Sequence, residues 1–239
     1  MKAWTTMAPR FGPNAVRTNA GSVDPVTGDV KRRRYDSEVR TEQAAATRRA
    51  VLEAARELFV EHGYAATPVA AIARRAGVAV DTVYASAGRK PAIMAHLVET
   101  ALSGTDDAVP GPERDYVDRI RATSGGRAKL GVYAAAVATL GERLAPVHRA
   151  LAEAAVTDAD CAALRAAVAD RRRANMLLFV ADLRATGELR PELADDEVAD
   201  VVWATNSAEF HALLVGGRGW TTERFAGWLA DSWARLLLV

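Results

Sequence analysis

Between Val51 and Lys90 the chain alternates helical stripes with turn residues so tightly that it must fold as a set of short, closely packed helices. Val51, Leu52, Ala55, Leu58 and Phe59 recur at the spacing of one buried helical stripe, while Arg48, Arg49, Arg56 and Glu57 fall outside it. Gly63 can adopt the left-handed conformation that closes a helix near His62, and Tyr64 can fold its ring back on the last turn. Thr67 is expected to cap a second helix through its hydroxyl, with Pro68 at the first helical position and Val69, Ile72, Ala73 and Ala76 facing inward. Gly77 then breaks the chain, Val78 anchors the turn, and a very short third helix is expected over 79–86. A helix that short cannot survive alone. Its tight coupling to the preceding helix predicts a helix-turn-helix, whose second helix enters a DNA major groove.

The residues themselves resemble the DNA-binding domain of the tetracycline-repressor (TetR) family. They are Thr67, then Ile72-Ala73-Arg74-Arg75-Ala76-Gly77-Val78, then Thr82-Val83-Tyr84, then Lys90 opening a further helix. With the preceding helix, the likeness spans about fifty residues. It implies that Val78 and Val83 are core pegs and that Thr67, Thr82, Tyr84 and Lys90 donate to phosphate oxygens, which sets register without reading sequence. Lys90 followed by Pro91 at a helix start is also a physically suitable anion site. Base contacts then fall to Val80, Asp81 and Ala85, with Ser86 or Tyr84 in reach; Val80 suits a thymine methyl and Asp81 a cytosine or adenine amino group. Two positions depart from the family pattern. Ala79 stands where a Ser or Thr cap is usual, a loss of about 1 kcal/mol, and Ala87 stands where an aromatic is usual. Of Arg74 and Arg75, a helix crossing the backbone would use one and leave the other in solvent.

The near-neutral net charge of +1 hides an asymmetry. Residues 1–96 hold 15 Lys+Arg against 9 Asp+Glu, and residues 97–239 hold 16 against 21. A basic first part beside an acidic remainder suits a two-part protein with one end on the duplex. Residues 1–39 are rich in Gly, Pro, Asn, Thr and Ser and lack apolar periodicity, so they are expected to be largely disordered. Lys31, Arg32, Arg33 and Arg34 form a basic run there, either a DNA-contacting arm or a solvated charge run. The expected organisation is a disordered basic extension at 1–39, a DNA-binding domain at 40–100 and a helical domain at 101–239.

The rest reads as an all-α fold, with a loop at 104–112 and helices at 113–122, 127–144, 146–156, 158–185 and 195–215. A final helix is expected to be capped by Thr222, with Phe225, Trp228, Leu229, Ser232, Trp233 and Leu236 in one stripe. The family resemblance implies that the last two helices pair with those of a second copy, and that the middle helices enclose a pocket for a small-molecule effector. Suitable liners are Tyr133, His148, Met176, Trp203, Asn206 and Phe210, each of which also suits an ordinary core. The reading is a homodimeric, ligand-responsive repressor on a palindromic double-stranded DNA operator.

No catalytic, metal or cofactor pattern is visible: His62, His96, His148 and His211 stand in no HExxH arrangement, and there is no P-loop, dinucleotide fingerprint or nucleophile elbow. No apolar run approaches a membrane span, and a single cysteine excludes an internal disulfide framework; both point to the cytoplasm. The alternative is an all-helical small-molecule-binding or scaffold protein with a vestigial helix-turn-helix.

Overall fold

A computed structural model describes residues 27–105 and 108–239, with side chains from Val39 onward. The chain divides into two compact units, Met1–Glu42 and Gln43–Val239. All side-chain relationships below lie within the second. Among the described residues the secondary structure is helical, without a strand. In chain order the helices are α1 (Thr27–His62), α2 (Val69–Ala76), α3 (Val80–Ala87), α4 (Lys90–Ser103), α5 (Asp115–Ala122), α6 (Gly126–Ala154), α7 (Ala159–Arg184), α8 (Asp195–Thr205), α9 (Ala208–His211) and α10 (Thr222–Leu237). A 3-10 turn at Gly111–Glu113 leads into α5, and a π-helical turn at Ala212–Gly216 follows α9.

The short helices end where the turn residues stand. Gly63 (φ 81°) donates its amide to the Phe59 carbonyl at 3.1 Å, and Tyr64 folds back on Phe59 with ring centroids 5.2 Å apart. Gly77 (φ 69°) closes α2, while the Val78 amide reaches back to the Ala73 carbonyl at 3.0 Å, a left-handed closure that lets α3 start within three residues. Ile72, Val83, Ile93 and Val98 are completely buried with Val51 and Ala55 of α1. This core continues into Val147, Ala150, Leu151 and Ala154 of α6 and into Cys161 and Val168 of α7, so the three short helices are not an isolated lobe. A second core gathers Leu130, Val180, Leu183, Val202, Phe225, Leu229 and Trp233.

Several boundaries differ from the sequence reading. The first helix begins at Thr27 rather than near residue 40, because between Gly28 and Gly63 there is neither glycine nor proline to stop it. Thr67 does not cap α2. Its side chain is only 1% exposed, and its hydroxyl donates to the carbonyls of Gly63 at 2.8 Å and Leu58 at 3.2 Å; Pro68 takes the capping position. The expected pair 127–144 and 146–156 is a single helix, α6, with Pro146 inside it. A proline removes only one backbone bond, and packing along the rest of a long helix can offset that. The expected helix 195–215 is broken at Asn206, because Ser207 leaves the helix to accept the Phe210 amide at 3.2 Å and so caps α9. The last helix is capped by Thr221, one residue earlier than expected, through the Arg224 amide. No helix among the described residues is long and apolar enough to cross a membrane.

Candidate nucleic-acid interface

Burial of Val83 and Ala87 fixes which face of α3 is free. Val80 (37% exposed) and Tyr84 (47% exposed) stand four residues apart on the outer face, with Asp81 and Ala85 also exposed beside them. Large apolar side chains on a helix of two turns are normally sunk inward. Here two of them stay partly exposed beside an acidic acceptor and a small residue. Thr82 and Ser86 are half-buried at its margin, and Ser86 donates its hydroxyl to the Thr82 carbonyl at 2.7 Å. Thr82, Ala85 and Ser86 face Ala44, Ala45, Thr47 and Arg48 of α1 across an open groove floored by alanines. Asp81 sits in the first turn of α3, where the helix dipole favours its charge.

The flanking cations divide into engaged and available. Arg75 is held by Glu57 at 2.6 Å, so of the two arginines on α2 it is Arg74 that stands exposed without a carboxylate among the described residues. Lys90 is not simply solvated: its ammonium lies 4.1 Å from the centroid of the Tyr64 ring, and burial pushes its pKa down. Thr67, expected among the phosphate donors, is buried with its hydroxyl committed to backbone, so it ties α1 to α2 instead of facing a duplex. The side chains of Lys31, Arg32, Arg33 and Arg34 lie outside the described residues.

The interior residues expected to line a pocket separate into two groups. Tyr133 donates its hydroxyl toward the Met176 sulfur at 3.4 Å and accepts from Asn206 Nδ2 at 2.7 Å, so these three line one cavity from α6, α7 and the α8–α9 break. Trp203 and His148 line a neighbouring groove, where His148 faces Glu209 at 3.6 Å. Phe210 does neither; it stacks on Trp228 at 5.8 Å within the second core. Arg172, which with Ser207 lines both cavity and groove, was not among the expected liners. It lies four residues from both Val168 and Met176, on the buried stripe of α7, and a cation on a buried stripe is itself a signal.

Residues 51–97 match the family of bacterial regulatory proteins designated tetR. Over about four fifths of the chain the fold is similar to several solved structures. One is the SmeT–triclosan complex, at 21% identity with a TM-score of 0.62, covering 81% of this chain and 92% of that one. Another is the MbdR regulator from Azoarcus sp. CIB, at 24% identity and TM-score 0.60, covering 81% and 100%. A third is NalD, the secondary repressor of the MexAB-OprM multidrug efflux pump in Pseudomonas aeruginosa, at 19% identity and TM-score 0.61, covering 82% and 98%. At these identities the likeness is one of fold. No relative is found among curated proteins.

Proposed function

We propose, from the premise that the chain is a tetR-family DNA-binding regulator of transcription with its helix-turn-helix within residues 51–97, that it acts as a homodimeric repressor released from a palindromic operator by a small molecule. Residues 40–100 would bind DNA, and residues 101–239 would bind the effector and the second copy. The observation that carries this reading is the free face of α3, where Val80, Asp81, Tyr84 and Ala85 are exposed beside an available Arg74. On such a helix an exposed Val80 beside Asp81 suits base edges, and the Tyr84 hydroxyl next to them suits a phosphate.

Dimerisation supplies what one short helix lacks, because two-fold symmetry doubles the site read. Leu213 on the π-helical turn and Leu236 on α10 are more than half exposed, and they mark the face proposed for the partner. Coupling to the effector would run through α4. Its first residue, Lys90, stands at the proposed DNA face, and Leu102 and Ser103 at its other end line interior cavities. At 1.5 Å per residue the helix spans about 21 Å. A ligand that favours one tilt of α4 shifts the spacing of two recognition helices by its differential affinity for that state, and no further.

The experiment is selection of bound sequences from a random duplex pool at about 0.15 M salt. Enrichment of a palindrome supports the reading. A folded, helical protein that enriches nothing overturns it in favour of a small-molecule-binding protein with a vestigial helix-turn-helix.

A further inference from the structure

Three consecutive arginines on α7 have different partners. Arg171 reaches Glu99 at 2.5 Å, and Arg173 reaches Asp196 at 3.0 Å and Asp200 at 3.2 Å. Arg172 between them turns inward and, among the described residues, has no carboxylate within ion-pair distance. Its guanidinium donates to the Trp203 carbonyl at 2.9 Å and to Asn206 Oδ1, and it lies 5.2 Å from the Trp203 ring. Those partners are neutral. Glu209, whose charge reaches Arg172, sits against His148 instead. A half-buried guanidinium hydrogen-bonded only to neutral acceptors carries a desolvation cost that a carboxylate partner would offset, and burial accordingly pushes its pKa down. It stays charged, because a guanidinium does not deprotonate in proteins.

A polar atom without a partner lies in the same place. His211 is 6% exposed, and its Nε2 is buried without any hydrogen-bond partner. Its ring lies against the bare Cα of Gly141, where a Cβ would come within 2.2 Å of the imidazole Cδ2. Buried polar atoms without partners are rare enough that each calls for an explanation. Arg172 and His211 both line the cavity of about 70 Å³ that also holds Tyr133 and Asn206, with Val137, Leu140 and Met176 as its apolar wall. Arg114 reaches the same cavity from the start of α5, its Nε on the Val109 carbonyl, and adds positive potential.

We infer that this cavity receives a small monocarboxylate, whose anionic end pairs with Arg172 and accepts from His211 Nε2 while its apolar body rests on Val137, Leu140 and Met176. The inference deepens the effector-binding reading above and rests on it for its regulatory meaning. Carboxylate geometry matches the planar fork of a guanidinium, and the small volume favours a compact acid over a phosphorylated metabolite.

The test is isothermal calorimetry on the full chain without DNA, titrating propanoate, hexanoate and benzoate, each beside its own primary amide. At least one acid should bind about tenfold or more tighter than its amide. Arg172→Met should abolish that preference, and His211→Phe should weaken the acid several-fold while sparing the amide. If Arg172→Met fails to fold, the acid-to-amide ratio of the unaltered protein decides. Equal binding of acid and amide, or no binding of any acid, overturns the inference. Because DNA is absent, the two readings fail separately. A protein that binds an acid but selects no operator refutes the regulator, whereas one that selects an operator and ignores every acid refutes the ligand class.

Discussion

Tyr64, just past the end of α1, donates its hydroxyl to the Asp158 carboxylate at 2.8 Å, and the same carboxylate caps α7 by accepting the amides of Asp160 and Cys161. With the Lys90 ammonium over its ring, Tyr64 joins the start of α4 to the start of α7. Burial raises the Tyr64 pKa, and the Cys161 and Tyr64 donors hold that of Asp158 down. Tyr64→Phe should therefore cost about 1 kcal/mol, the net value of one such bond, and Asp158→Ala should cost more because it also removes a helix cap. Urea denaturation of both single variants and the double checks this. Strict additivity would show that the two side chains do not interact.

DNA contacts should divide by kind. Tyr84→Ala and Lys90→Ala are expected to weaken binding to all duplexes alike, and loss of the Lys90 charge should lower the slope of log affinity against log salt by about 1. Asp81→Ala should change the preferred sequence instead. Fluorescence anisotropy on a palindrome and on scrambled duplexes separates the outcomes, and an unchanged preference in Asp81→Ala removes it from the base-reading set.

Gly141 leaves no room for a side chain beside His211. Gly141→Ala should destabilise the fold by about 1–3 kcal/mol, the usual range for overpacking. Combining it with His211→Ala should recover much of that loss. Thermal melts of the two single variants and the double report it.

Stability should fall on acidification from neutral pH. Burial pushes the pKa of His211, His148 and His96 below the ordinary 6.5. As the pH drops below 6.5 the unfolded chain takes up protons that the folded chain does not, so stability declines across the window down to each folded-state pKa. Above 6.5 both states are neutral and these groups contribute no pH dependence. Asp158 acts at lower pH, its stabilisation being lost as it protonates below the ordinary 3.8. Urea midpoints at pH 7.5 and 5.5 test the first window, and His211→Phe should shallow the slope between them.

The proposed dimer face makes a further demand. Leu213→Glu and Leu236→Glu, both at exposed positions, should leave helicity intact and convert a dimeric sedimentation species to a monomer. A monomer in the unaltered protein would refute the arrangement.

Local chemistry carried the helix-turn-helix. Gly63, Gly77 and the stripe from Val51 to Phe59 act within a few residues of themselves, so α2 and α3 followed from spacing, while the outward placing of Val80 and Tyr84 came from the family resemblance. Where two local signals competed, the surroundings decided. Pro146 reads as a break, yet α6 runs through it, and Thr67 reads as a cap, yet the Leu58 and Gly63 carbonyls claim its hydroxyl.

The cavity was least legible. Tyr133, Met176 and Asn206 were recognisable as amphipathic candidates, but that they meet around Arg172 depends on α6, α7 and the α8–α9 break crossing at one point. Hydrophobic periodicity and turn residues thus determined which segments are helices and which faces turn inward, because those preferences belong to the chain within one or two turns. Only the tertiary structure decided that Arg172 and His211 share one cavity, the guanidinium bonded to neutral acceptors and the imidazole Nε2 to nothing, because burial and charge balance depend on neighbours distant in sequence.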